Sequence, residues 1–319
     1  MSHKPRLLDQ VREAVRLRHY SYRTEQQYIG WIRRYILFHG KRHPADLEGG
    51  HVEAFLSHLA VSRHVASATQ AQALSALLFL YRHVLNVELP WLDSMVRAKR
   101  PKRLPVVLTR AECLSVLSNI DGACALPAKL LYGSGLRVLE ALRLRVKDVN
   151  LHNRVLTIRD GKGAKDRITM LPEALASELR LHLRRVREQH HIAMAGGYGG
   201  VELPHALEVK YPRAPFEMGW QFVFPSKSPS RDPRSGAWRR HHLSLKMMQR
   251  RVKEAVRAAG IEKPVSCHTF RHCFATHMIE SGVDIRTVQE LMGHASVKTT
   301  QIYTHVLNRG GIAARSPLD

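Results

Sequence analysis

The stretch "HTFRHCFATHMIESGVDIRTVQELMGHASVKTTQIYTH", His268 to His305, constrains the fold more than any other. It carries five histidines, two arginines and one tyrosine, cut into short pieces by Gly282 and Gly293. Helices stopped by glycine turn back on themselves. A helix beginning near Thr269 sets Phe270, Phe274 and Met278 on one face, with His268 and Arg271, three apart, together elsewhere. Asp284 is placed to cap the next helix, whose Ile285, Val288, Leu291 and Met292 face inward. His294 follows Gly293 in a turn, and Ser296 is placed to cap a segment carrying Tyr303. Folding back brings His268, Arg271, His294 and Tyr303 toward one point. A core has no use for such groups, because a buried polar group costs free energy unless it is hydrogen-bonded. An anion would explain them.

The whole chain agrees. It has 319 residues and a formal net charge of +23, from 50 Lys and Arg against 27 Asp and Glu. That length suits two domains, and that charge implies a polyanionic partner, nucleic acid before an anionic membrane. No apolar run nears a spanning helix; "LSALLFLY" is about the longest. The basic start lacks a following apolar core, so no signal peptide is expected and the protein is placed in the cytoplasm. Cys113, Cys124, Cys267 and Cys273 show no CxxC pairing, which indicates reduced thiols and neither a zinc finger nor a disulfide framework.

The expected class is mainly α with a small antiparallel sheet. Residues 1–95 read as four helices. One centres on Leu8, Val11 and Val15, and one carries Tyr28, Ile32, Tyr35 and Ile36 on one face, with Thr24 and Gln27 as a capping box and Gly40 as its end. The others carry Val52, Phe55, Leu56 and Leu59, and Leu74, Leu77, Leu78, Tyr81 and Leu85. Residues 96–105 have the composition of a basic linker, in which Lys99, Arg100, Lys102 and Arg103 can track a phosphate backbone. From 106 to 319 runs a second domain. There "NRVLTIRD", "GKGAK" and "DRITMLP" read as strand, turn and strand, with "VKDVNL" a third strand. Residues 173–188 look helical, a Gly/Pro-rich insertion occupies about 190–220, and helices resume at Leu243.

Upstream of the opening stretch, "GSGLRVLEALRL" puts Arg137 at a glycine-flanked turn with Glu140 one helical turn on. "DGKGAKDR" puts Lys162 at a hairpin tip. A lone arginine, lysine or histidine is ordinarily a solvated or structural residue. Two arginines, a lysine, two histidines and a tyrosine at turns and helix edges are a phosphoryl-transfer site that needs no metal. Making phenolate from tyrosine at pH 7 costs roughly 4 kcal/mol. Paired guanidiniums can grip the oxygens that gain charge, and a lysine can protonate the leaving 5′ oxygen. No magnesium-type carboxylate cluster, P-loop or GxSxG is present. The implied chemistry is transesterification through a covalent phosphotyrosine, without ATP, metal or cofactor.

These boxes, "LLYGSGLRVLEALRL", "DGKGAKDR", "HTFRHCFATH" and "LMGHASVKTTQIYTH", resemble the signatures of tyrosine recombinases, the phage-integrase family. The resemblance implies that Arg137, Arg271 and His294 bind the scissile phosphate. It implies Lys162 as general acid, with Lys165 second to it, His268 as phosphate contact and proton acceptor, Tyr303 as nucleophile and Glu140 as support. It also implies a helical core-binding domain and a catalytic domain forming a C-shaped clamp on DNA. "YSYRTEQQYIGWIRRYILFHGKRHPADL", "RLPVVLTRAE", "VKYPRAPFEMGWQFVFP" and the ending "IYTHVLNRGGIAARSPLD" are similar to the integron integrase subgroup. That likeness implies a bacterial enzyme that joins duplex attI sites to attC sites folded from one strand. It also implies a homotetramer on DNA with exchanged C-terminal tails, and makes the 190–220 insertion a subgroup feature.

Between His190 and His242, flat side chains alternate with cations. Trp220, Pro233, Arg239, Arg240, His241 and His242 make a candidate platform for unpaired bases, where stacking is worth roughly 1–3 kcal/mol per base. A type IB topoisomerase and a non-catalytic DNA-binding relative are the competing readings. Covalent adduct formation and exchange between two sites separate the three.

Overall fold

The structure is a computed structural model that describes residues 5–87, 105–159, 166–204, 207–233, 235–294 and 296–301. The chain divides into two compact units, Met1–Arg103 and Leu104–Asp319.

The first unit is helical: α1 (Leu7–Leu17), α2 (Tyr22–Phe38), α3 (Gly49–Val61) and α4 (Ser67–Leu80), the last continuing as a π turn through Tyr81–Leu85. The apolar stripes seen in the sequence face one another. Ile32, Tyr35, Val52, Phe55, Leu56 and Leu77 are all buried. Two tyrosines sit in this core without stranding a hydroxyl. The Tyr35 and Tyr81 hydroxyls are 2.9 Å apart, and Tyr81 Oη donates to the Pro44 carbonyl at 3.0 Å. One boundary differs from expectation. Ser21, not Thr24, caps α2, because its Oγ accepts the Thr24 amide at 3.1 Å and starts the helix two residues before Thr24.

The second unit begins with α5 (Arg110–Ser118), α6 (Ala125–Gly133) and the short α7 (Val138–Leu142). An antiparallel sheet follows in the order β1 (Val149–Asn150), β2 (Val155–Ile158), β3 (Arg167–Met170), with Thr157 opposite Ile168. Then come α8 (Glu173–Ala195), α9 (Leu207–Lys210), a hairpin of β4 (Ser230–Arg231) and β5 (Trp238–Arg239), and the helices α10 (Leu245–Ala258), α11 (Cys267–Glu280), α12 (Ile285–Met292) and α13 (Val297–Gln301). The molecule is therefore mainly helical with small antiparallel sheets. Its main core joins Leu130 and Leu131 of α6, Leu156 of β2, Leu179 of α8, Val252 of α10 and Phe270 of α11. All four cysteines are buried free thiols. Among the described residues, no helix is long and apolar enough to cross a membrane.

The segment after residue 188 departs from the sequence reading. α8 runs on to Ala195, because Leu179, Val186 and Ala193, spaced two turns apart, continue its buried stripe. The Gly/Pro-rich stretch beyond it has a small core of its own, Val201, Leu203, Ala214 and Phe222, with Leu207 and Trp220 packed against it. The β4–β5 hairpin was not expected either; each strand is two residues long, too short for a period-2 pattern.

Candidate active site

Arg271 organises the site. It lies on α11, which Ser266 and Thr269 cap reciprocally, so the helix starts at Cys267 and not near Thr269. Sequence spacing placed Arg271 on a polar face. In the structure it is 1% exposed, the bulkiest of the fully buried side chains. Its guanidinium donates to the carbonyls of Gly135 and Met292, and Nη1 lies 3.7 Å from Glu140. One side chain thus ties the turn before α7 to the end of α12.

Those two turns need glycine. Gly135 has φ +63, and a Cβ there would fall 2.4 Å from the Phe274 ring. Gly293 has φ +61, and a Cβ there would fall 2.7 Å from Cδ of Arg167. Both positions combine left-handed backbone with close approach, so L side chains are excluded twice over.

Arg137 is the N-cap residue of α7. Its amide and its Nη1 both donate to Glu140, at 2.8 and 2.7 Å. Burial alone would raise the Glu140 pKa, but its pairing with Arg167 and its bonds from Arg137 outweigh that and hold it at about 2. The acid is ionised and orients the guanidiniums around it. His294 follows Gly293, and its Nδ1 lies 3.0 Å from the Thr300 hydroxyl. Burial, then Arg271, Arg137 and Arg167, lower the His294 pKa to about 3. His268, open at one edge, is lowered by lost hydration, then by Arg271 and Arg137. Both rings are therefore neutral near pH 7, in a pocket of positive potential suited to an oxyanion. Arg137, Arg271, His268 and His294 are thus brought together, with Glu140 among them. Lys162, Lys165 and Tyr303 lie outside the described residues, as do Lys99, Arg100, Lys102 and Arg103.

Residues 108–309 match the model of the phage integrase family, and residues 7–91 match the N-terminal SAM-like domain of phage integrases. The chain belongs to the phage integrase family. Integrase/recombinase proteins of Escherichia coli and of Pseudomonas aeruginosa are each 52% identical to it over 314 residues, 98% of this chain and 93% of theirs. Tyrosine recombinase XerA of Thermococcus kodakarensis is 31% identical over 311 residues, 96% of this chain and 93% of its own. Among solved structures, XerH recombinase bound to difH substrate gives a TM-score of 0.61 at 21% identity, covering 95% of this chain and 83% of that one. The Tn1549 transposon integrase with transposon right end DNA gives 0.57 at 17%, covering 98% and 96%. The chain is a tyrosine site-specific recombinase acting on DNA.

The recombinase has a cleft of about 530 Å³ beside the arginine cluster, lined among others by Glu140, Arg143, Lys147, Trp220, His241 and His242. Trp220 is half-buried, with Lys147 Nζ 2.9 Å from the centre of its ring. His242 Nδ1 lies 2.8 Å from the Leu243 carbonyl and its ring meets Phe222 edge-on. Arg240 Nε and His241 Nε2 are buried without a hydrogen-bond partner among the described residues. Pro233 is exposed. Arg239 stands apart from the rest. It donates twice to Glu208, at 2.9 and 2.6 Å, and is mostly buried, so its charge is engaged within the protein.

Two arginines escaped the sequence reading. Arg145 anchors the inserted segment, donating to the carbonyls of Trp220 and Glu202 at 2.8 Å each and lying 3.6 Å over the Phe222 ring. Arg167 binds Glu140 through two nitrogens, at 3.0 and 2.7 Å. Arg145 carries no local signal, and Arg167 closes the quoted DGKGAKDR box, but only the long-range pairings give either a role. Among the described residues, Glu202, Asp232 and His241 bring one metal-ligating atom each within 4.8 Å of one another. None of the three belongs to the arginine cluster.

Proposed function

We propose that this recombinase is an integron integrase, which exchanges strands between a duplex attI site and an attC site folded from a single strand. In this reading residues 1–95 are the core-binding domain, 96–105 the linker and 106–319 the catalytic domain. Four copies act on DNA, their C-terminal tails exchanged.

The convergence of Arg137, Arg271 and His294 on one pocket carries the chemistry. Their donors hold the non-bridging oxygens of the scissile phosphate, with His268 at its edge as phosphate contact and proton acceptor. Tyr303 Oη attacks phosphorus and forms a 3′-phosphotyrosine. The bond to the 5′ oxygen breaks, and that oxygen takes a proton from Lys162. A 5′ hydroxyl from the other site then attacks the phosphotyrosine and releases Tyr303. The phosphodiester energy is kept throughout, so the reaction runs without ATP. Charge accumulating on the phosphate meets preorganised guanidiniums held at fixed distances from Glu140.

The choice of folded attC rests on the cleft beside Glu140. A duplex keeps its bases stacked inside, whereas a folded strand presents unpaired ones. Trp220, His241 and His242 line the cleft, and Pro233 and Arg240 follow on the same segment. The Xer relatives favour a second reading, exchange between two duplex sites.

The test is incubation with labelled attI and a folded attC strand, scoring joined product and covalent adduct, for the wild type and Tyr303→Phe. Joined attI–attC product from the wild type, with no adduct from Tyr303→Phe, is expected. Equal joining of two duplex sites would favour the Xer-like reading. Absence of any wild-type adduct would make the chain a DNA-binding relative.

A further inference from the structure

We infer that Arg167 is a positioning residue for strand cleavage: it holds Glu140 and the end of α12 so that Arg137, Arg271 and His294 meet the same phosphate. The inference rests on the phosphotyrosine chemistry proposed above.

Arg167 is the first residue of β3, with Asp166 between it and the 160–165 segment that carries Lys162. Its side chain is 9% exposed, as is that of Glu140. Nη1 and Nη2 reach Oε1 and Oε2 of Glu140 at 3.0 and 2.7 Å, while Nε donates to the Leu291 carbonyl at 2.9 Å. Leu291 precedes His294 by three residues, and Gly293 lies against the Arg167 stem. One planar group therefore joins three pieces of chain: β3, α7 through Glu140, and the turn that presents His294. At the base of the 160–165 segment, Arg159 binds Asp148 at 2.7 Å and Asp166 at 3.5 Å, so the strand ends that hold Arg167 are themselves tied.

The electrostatics follow from the same geometry. Arg137 Nη1, Arg167 Nη2 and Arg271 Nη1 lie 2.7, 2.7 and 3.7 Å from the Glu140 carboxylate. Three cations around one anion leave a formal +2 for the phosphate. Without Arg167 the carboxylate would be shared by the two phosphate-binding arginines alone, leaving +1 and drawing both away from the substrate. All three Arg167 nitrogens are engaged by Glu140 and the Leu291 carbonyl, which makes it a positioning residue and not a catalytic one. Lysine could keep its charge but could not bond two carboxylate oxygens and a carbonyl in one plane.

The experiment compares wild type, Arg167→Lys, Arg167→Met and Arg167→Met/Glu140→Gln by single-turnover cleavage of a suicide DNA substrate and by DNA affinity. Arg167→Met should cleave about a hundredfold more slowly, the scale of a misplaced reacting group, with affinity within about threefold of wild type. Arg167→Lys should lie between. Adding Glu140→Gln should speed Arg167→Met, because it removes the carboxylate that draws Arg137 and Arg271 away from the phosphate. A merely structural role gives the opposite sign, the double variant slower than the single. Wild-type cleavage by Arg167→Met, or that slower double variant, overturns the inference. If Arg167→Met fails to fold, Arg167→Lys decides: cleavage at the wild-type rate overturns the inference, and slowed cleavage at unchanged affinity supports it. Absence of any wild-type adduct would instead defeat the phosphotyrosine reading itself.

Discussion

Arg271→Ala and Arg137→Ala should look alike in catalysis and different in stability. Arg271 is 1% exposed and donates to the carbonyls of Gly135 and Met292. Removing it strands two buried acceptors at about 1–3 kcal/mol each and leaves Glu140 with less compensation. A loss of about 3–5 kcal/mol is expected, as when one partner of a buried ion pair is deleted. Against a typical stability of about 5–15 kcal/mol that is a fifth or more of the total. Arg137 is 25% exposed, and Glu140 keeps both bonds from Arg167 without it, so Arg137→Ala should cost no more than about 1 kcal/mol. Each variant should slow cleavage at least about a hundredfold, the usual effect of losing one transition-state donor. Denaturant unfolding and single-turnover adduct formation on the same preparations measure both. An Arg271→Ala protein with a wild-type unfolding midpoint would refute the structural half of the argument. Near-wild-type cleavage by Arg137→Ala would refute the catalytic half. Arg271→Lys separates the two roles further: it should recover part of the stability and little of the rate, since an ammonium cannot span both carbonyls.

Three shorter predictions accompany it. DNA affinity should fall steeply with salt, with a log–log slope of about −0.7 to −0.9 per phosphate neutralised; a flat titration would assign the +23 charge to another partner. Trp220→Ala should weaken binding to a folded attC strand by a factor of about 10 while sparing duplex attI, whereas equal losses on both would make Trp220 a packing residue only. Burial and the neighbouring cations hold His294 at about 3 and His272 at about 4, below the roughly 6.5 of an unfolded chain. Between those values the unfolded state binds the extra protons. Their contribution is complete above about pH 7 and declines as pH falls, by up to about 1.4 kcal/mol per unit for each ring. Unfolding midpoints at pH 7.5 and pH 5 test this, and equal midpoints would contradict it.

What the sequence disclosed and what it hid divide by range of interaction. Apolar periodicity is local, so the stripes of α2, α3, α4 and α12 could be read directly, and Ile32, Val52, Leu77 and Val288 are buried as their spacing required. Caps are local too: Asp284 accepts the Arg286 and Thr287 amides at 2.8 Å, and Gly293 ends α12 with positive φ. The arginine cluster was legible through its turns, because Gly135 and Gly293 announce where the chain doubles back. Its depth was not. No local pattern tells that Arg271 is buried and Arg137 half-open, or that Arg167, 27 residues from Glu140, is its bidentate partner.

Two cations that meet the inserted segment teach the same lesson with a functional consequence. Arg239, assigned to DNA from its neighbours in sequence, is bound to Glu208, while Lys147, assigned nothing, covers the Trp220 ring. A base that stacks on the covered face must displace that lysine. A cation–π contact is worth about 0.5–2 kcal/mol and base stacking about 1–3, so the exchange alone is nearly balanced. If folded attC binds this cleft as proposed, the displaced ammonium would gain a charge-assisted contact with a backbone phosphate in place of the one it lost. The balance therefore favours DNA that brings an unpaired base and a phosphate together. Regular duplex offers only the phosphate and leaves the lysine on the ring. Under the proposed attC reading, Lys147 would contribute to discrimination by occupying the Trp220 ring until a base arrives.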